Sequence, residues 1–163
     1  YNGTYLAVAD KGAASIYVWE GVPSTSDEPA YTLSGLANLG RIDMNDDYLA
    51  IGCYPEGPSF KLLALSSLES PSYQSVVGQD CPSEMSLNKL GLFIQTKNDD
   101  SIIGWTSVEA ALSGASHTMS FGGTTDKTNV GTRTASGIGW DGVHFWVGEF
   151  KFSNRLLGFL PSK

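Results

Sequence analysis

Basic residues are scarce in this 163-residue chain. Only ten are Lys or Arg, charged residues of both signs make up 17% of the whole, and the formal net charge is −7. No run of Lys or Arg occurs, which argues against nucleic acid as a partner, since phosphate contacts need clustered cations. No segment approaches the ~20 consecutive apolar residues of a membrane-spanning helix, so no membrane insertion is expected. A signal-peptide pattern is absent and the first residue is Tyr1 rather than Met, so the expectation is a processed or excised segment. Histidine is limited to His117 and His144, and cysteine to Cys53 and Cys81, too few to define a disulfide framework. No G-x-S-x-G, H-E-x-x-H, P-loop or EF-hand pattern appears. Helical periodicity is missing as well. Only Thr106–Leu112 suits a short helix, capped by Thr106 or Ser107.

What the chain does have is turn formers and apolar residues. Nineteen Gly and seven Pro accompany 41% hydrophobic and 11% aromatic residues, a mixture that suits short strands joined by tight turns. Four apolar runs end at Val8, Ile51, Ile94 and Val147, spaced 43, 43 and 53 residues apart. Six residues before these anchors stand Asn2, Asn45, Asn88 and Asp141, types that tolerate tight-turn backbone angles. Asn2-Gly3 and Asp141-Gly142 are strong hairpin signals. Upstream, the pairs Ile42/Met44, Met85/Leu87 and Ile138/Trp140 give an apolar residue at every second position, as a half-buried strand requires. Downstream, a further apolar run ends near Trp19, Leu65, Trp105 and Phe159, and another closes at Gly35, Gly78 and Gly122.

Each unit therefore reads as four antiparallel strands, a to d, with a tight a–b turn and a longer c–d connection. Repetition every ~40–50 residues predicts an all-β chain of β-propeller blades. Tyr1 falls at the end of an a strand and Lys163 follows a c strand, so about three and a half blades with fourteen strands are expected. Blade 1 covers about residues 1–35, blade 2 about 39–78, blade 3 about 83–122 and blade 4 about 135–163, forming a single propeller segment. Residues 123–134, rich in Gly, Thr and Asn, read as a loop between d and a strands.

The stretch Tyr5–Gly35, YLAVADKGAASIYVWEGVPSTSDEPAYTLSG, resembles the bacterial NHL-type propeller repeat, with its V-A-D run and closing apolar strand ending in Gly. Ser136–Pro161 is similar, through the Asp-Gly turn, Asn154-Arg155 and Leu160-Pro161. The middle units depart from it, with Cys53 or Thr96 where the family prefers Asp. The resemblance implies a six-bladed type of architecture and, for most members, a binding or scaffolding role; some relatives are lyases or metal-dependent hydrolases.

Chemistry is thinly represented. His117 is expected in an outer d strand and His144 in a b strand, and both read as ordinary strand residues. The inner strands contribute Arg41, Asp43, Glu84, Ser86, Gly137 and Gly139, a set that does not converge oxygen ligands on a hard cation. No metal or other cofactor is expected. Trp19, Trp105 and Phe159 recur at one repeat position, which reads as packing between blades. The b–c and d–a loops share one end of the blades, where ligands of such scaffolds bind. The binding candidates there are Tyr54, Glu56, Lys97, Asn98, Glu149 and Lys151.

The leading expectation is a non-catalytic module binding a protein or glycan on that loop end. An enzyme whose site forms only in a closed ring, and a structural segment of a longer surface protein, are the alternatives. Topology brings Cys53 and Cys81 to the same end, so a disulfide and a secreted, periplasmic or cell-surface location are expected. Open blade faces and strand edges at both ends predict a homodimeric ring of six to eight blades, its ends meeting near Tyr1–Val8 and Trp140–Leu160.

Overall fold

The structure, a computed structural model, describes residues 1–53, 60–76, 79, 82, 84–95, 101–122, 135–149 and 155–159. The described residues form fourteen strands in four antiparallel sheets, and the chain divides into two compact units, Tyr1–Cys81 and Pro82–Lys163. In the first unit, sheet I runs β1 (Tyr5–Asp10), β2 (Ser15–Glu20), β3 (Tyr31–Leu33), and sheet II runs β4 (Leu39–Met44), β5 (Tyr48–Cys53), β6 (Lys61–Ala64), β7 (Tyr73–Ser75). In the second, sheet III is built from β8 (Glu84–Asn88), β9 (Gly91–Gln95), β10 (Ser101–Trp105) and β11 (Met119–Gly122). Sheet IV follows as β12 (Ala135–Trp140), β13 (Phe145–Glu149) and β14 (Arg155–Phe159). Every strand pairs with its neighbour in sequence, so each sheet is a simple meander.

One turn is built four times. The side-chain oxygen of Asn2 accepts the backbone N–H groups of Thr4 (2.9 Å) and Tyr5 (2.7 Å). Asn45 does the same for Asp47 (3.0 Å) and Tyr48 (2.8 Å), and Asp141 for Val143 (2.8 Å) and His144 (2.7 Å). Asn88 accepts from Leu90 at 2.9 Å. These are Asx turns, in which a short polar side chain stands in for a backbone carbonyl and closes the chain on itself. Within the first unit the turns also touch: the Asn2 amide donates to the Asn45 carbonyl oxygen at 2.7 Å, across one repeat.

Strand alternation then divides each sheet into two faces. On sheet I, Ile16, Val18 and Leu33 point one way and pack on Leu49, Ile51 and Leu63 of sheet II, with Tyr5, Ala7 and Ala9 of β1 joining the contact. The second unit repeats the arrangement. Phe93 and Ile102 of sheet III meet Phe145 and Val147 of sheet IV, and the Phe93 and Phe145 ring centroids lie 4.2 Å apart.

Several local expectations need correction. Cross-strand pairing sets Leu63 opposite Leu49, as Trp19 is opposite Leu6 and Trp105 opposite Leu92. Leu63 thus holds the repeat position of Trp19 and Trp105, two residues before the Leu65 near which the apolar run ends. Leu65 instead opens a one-turn 3-10 helix, Leu65–Ser67, that the sequence pattern does not show. His117 lies in the connection before β11 rather than inside it, edge-on to the Trp105 ring at 6.3 Å. His144 belongs to the a–b turn, one residue before β13. The short helix α1 (Val108–Leu112) is present, with the Ser107 hydroxyl accepting the Ala110 N–H at 3.1 Å. The two strand-c tryptophans share a further role: Trp19 and Trp105 donate their indole N–H to carbonyls in the following connection, at Asp27 (3.0 Å) and Ala115 (2.9 Å).

Gly91 is the tightest point. It adopts φ +128°, and a Cβ there would lie 1.8 Å from the Trp105 carbonyl oxygen. Gly91→Ala is therefore expected to destabilise the chain by at least about 3 kcal/mol, through strain and a forced shift of β10. Gly3→Ala, at φ +98° with open space around it, is expected to cost only about 1 kcal/mol. Urea unfolding midpoints of the two variants check this; equal midpoints would contradict it.

Candidate functional site

Two ends of the sheets carry loops, and they differ in chemistry. The b–c and d–a end is where the binding candidates were placed. Tyr54, Glu56, Lys97, Asn98 and Lys151 lie outside the described residues, as does Cys81. Glu149 is the last residue of β13, paired with Ala135 and Arg155, so it closes the strand rather than opening the loop.

The described part of this end in the first unit is held firmly. Asp10 accepts the Ala13 N–H through Oδ1 at 2.9 Å, so the exposed pair Asp10 and Lys11 rides on a closed turn. Ser15 Oγ donates to the Ala13 carbonyl at 3.0 Å, and its oxygen lies 3.4 Å from Ser34 Oγ. The Leu36 N–H donates to the Ala14 carbonyl at 2.9 Å. Turn and link are thus tied to each other. Cys53 ends β5 at the same end of sheet II and is disulfide-bonded; the chain's other cysteine is Cys81.

The inner strands place their polar residues unevenly. Arg41 is exposed, and Asp43 is half-buried with Oδ1 accepting the Met44 N–H at 2.9 Å. Glu84 and Ser86 are buried on β8, where Ser86 Oγ accepts from the Asn88 amide at 3.1 Å. Gly137 and Gly139 leave open space where side chains would stand. Among the described residues, no group of three or more His, Cys, Asp or Glu side chains could hold a metal ion.

The a–b end of sheet IV holds a cluster that the repeat pattern conceals. Asp141 Oδ1 closes the turn, while Oδ2 accepts the Trp146 indole N–H at 2.7 Å and lies 3.4 Å from His144 Nδ1. The imidazole in turn lies against the Trp146 ring, with centroids 5.7 Å apart. The signal for it in the sequence is the spacing D-G-V-H-F-W: an Asx turn folds residues three and five positions on back toward the carboxylate. Hydrogen bonds from the backbone N–H of His144, the Trp146 indole and the backbone N–H of Val143 hold the Asp141 carboxyl far below its ordinary value of 3.8. The arrangement fixes a negative charge and orients an imidazole. Among the described contacts it brings no nucleophile to that imidazole.

A search of protein-family models finds no match to the chain, and a search of curated proteins finds none either.

Two outcomes follow from these groups. A carboxyl depressed in the folded state stabilises fully above its ordinary value of 3.8, and that contribution is lost as pH falls toward the lower folded value. Asp141→Asn should thus be less stable than the parent at neutral pH, with the gap closing in strong acid. Urea midpoints across that range test this, and a gap independent of pH would contradict it. For the cysteines, thiol titration of the unfolded, unreduced chain is expected to find no free thiol, and reduction is expected to cost ~3 kcal/mol. Two free thiols would rule out a Cys53–Cys81 bridge.

Proposed function

We propose that the chain is an arc of NHL-like β-propeller blades that works as a non-catalytic module, binding a protein or glycan through its b–c and d–a loops. The observation that carries this reading is the repetition itself. Four meander sheets carry the same Asx turn at the same position. In both units the same face of one sheet stacks on the same opposite face of the next. Stacked meanders of this kind free their loops from any role in the core, and loops on a rigid scaffold are where recognition concentrates. The tied loop end of the first unit supports it further, since loops already ordered lose less freedom on binding. The disulfide at Cys53 favours an oxidising, secreted or cell-surface setting.

The test is a glycan and peptide array, followed by titration of its strongest hit. Tyr54→Ala and Lys97→Ala are each expected to weaken that hit about tenfold, equivalent to ~1.4 kcal/mol. Unchanged affinity in both variants would remove the loop end from the proposal. Turnover of a lactone, phosphoester or peptide substrate would replace it with the enzyme reading.

A further inference from the structure

The repeat offers an internal standard for what each sheet face should bury. Val8, Ile51, Ile94 and Val147 hold one position on strand b. Three of them are buried, at 4%, 1% and 0% exposure for Ile51, Ile94 and Val147, whereas Val8 is 45% exposed. On the other face, Leu156 pairs with Gly148 as Ile16 pairs with Ala9 and Ile102 with Gln95. Ile16 and Ile102 are both 0% exposed, while Leu156 is 65% exposed. Each departure has company. Beside Val8, Leu6 and Trp19 are only half-buried, though their counterparts Leu49, Leu63, Leu92 and Trp105 are buried. Beside Leu156, Trp146 is half-buried where Ala50 and Phe93 are buried.

The two exposed faces are of opposite kind. Inside each unit, the face that carries Ile16 or Ile102 is covered by the face that carries Ile51 or Val147 of the next sheet. Sheet IV presents the first kind of face, at Leu156 and Trp146, and sheet I presents the second kind, at Leu6, Val8 and Trp19. The packing seen twice within the chain shows what each one takes. We infer that the Leu156–Trp146 face of one copy stacks on the Leu6–Val8–Trp19 face of a second copy, and that the reciprocal junction closes a two-fold homodimer. This deepens the propeller reading, because it extends the stacking between sheets from one chain to two. Open space over Gly139, the cross-strand partner of Trp146, and over Gly137, the partner of Gly148, leaves room for the incoming aromatic and aliphatic side chains. Apolar faces of this type, left uncovered, favour association over a free monomer.

The experiment is light scattering on the purified chain and on two variants. The parent is expected to give about twice 17.4 kDa at micromolar concentration. Val8→Glu and Leu156→Glu change exposed side chains, so circular dichroism should show both folded, yet each is expected to run as a monomer. Mixing them is the decisive arm. The V8E chain still offers an intact Leu156 face and the L156E chain an intact Val8 face, so one native junction survives and a weaker heterodimer should return. A monomeric parent overturns the inference. So does a pair of variants that fails to recombine, which is what like-with-like pairing of faces would produce. Neither substitution touches a loop residue, so ligand binding by a monomeric variant would separate the failure of this junction from a failure of the proposed function.

Discussion

The three sheets that contain both strands a and b share one short-range interaction, which recurs before β1 of sheet I: a side-chain carbonyl or carboxylate oxygen at the turn accepts a backbone N–H two residues on, and at Asn2, Asn45 and Asp141 a second one three residues on. The turn residue satisfies donors that would otherwise be left to solvent, and it fixes which residues of strands a and b face each other. Because side chains alternate along a strand, a slip of one residue would turn each apolar set to the wrong face. Asn45, Asn88 and Asp141 therefore do more than reverse the chain. They decide that Leu49, Ile51, Leu92, Ile94, Phe145 and Val147 share one kind of face.

Packing supplies the stability that the turns organise. Burying a Val, Leu, Ile or Phe side chain is worth about 1.5–3 kcal/mol relative to exposure, so each stacked face outweighs any single turn. The aromatic contact of Phe93 with Phe145 and the close approach of Gly91 to the Trp105 carbonyl show how little slack the second unit holds. Asp141 carries the turn one step further than its counterparts. With a carboxylate in place of an amide, its second oxygen is free to take the Trp146 indole and approach His144. One repeat position thus serves as a plain turn three times and as the seat of a polar cluster once.

Much of this was legible before any coordinates, and the reason is physical. Turn residues and period-two alternation are local signals, so the repeat, the four groups of strands and the short helix, with Thr106 or Ser107 as its cap, can be read from residue types and spacing. Errors arose where a longer-range pairing decides the outcome. The apolar run around Leu63 and Leu65 is continuous, and only cross-strand register shows that Leu63 holds the strand position while Leu65 begins a 3-10 turn. His144 alternates with apolar neighbours as a strand residue does, but the Asp141 turn captures its backbone N–H. Glu149 reads as a loop residue by its polarity, yet its backbone pairs on both sides at the end of β13. Side-chain clusters such as Asp141, His144 and Trp146 have no periodic signature at all, since they depend on where a turn aims its second oxygen.

The Asx turn that precedes strand b in all four sheets has a direct readout in amide hydrogen exchange. The backbone N–H groups of Leu90 and His144 lie in turns and those of Tyr5 and Tyr48 at the first residue of a strand, where exchange is ordinarily fast, yet each donates to a turn side chain, at 2.9, 2.7, 2.7 and 2.8 Å respectively. All four are expected to be protected in the native state and to lose protection together with the strands that flank them. Exchange at these four positions as fast as in an unfolded chain, with the strands still protected, would contradict it.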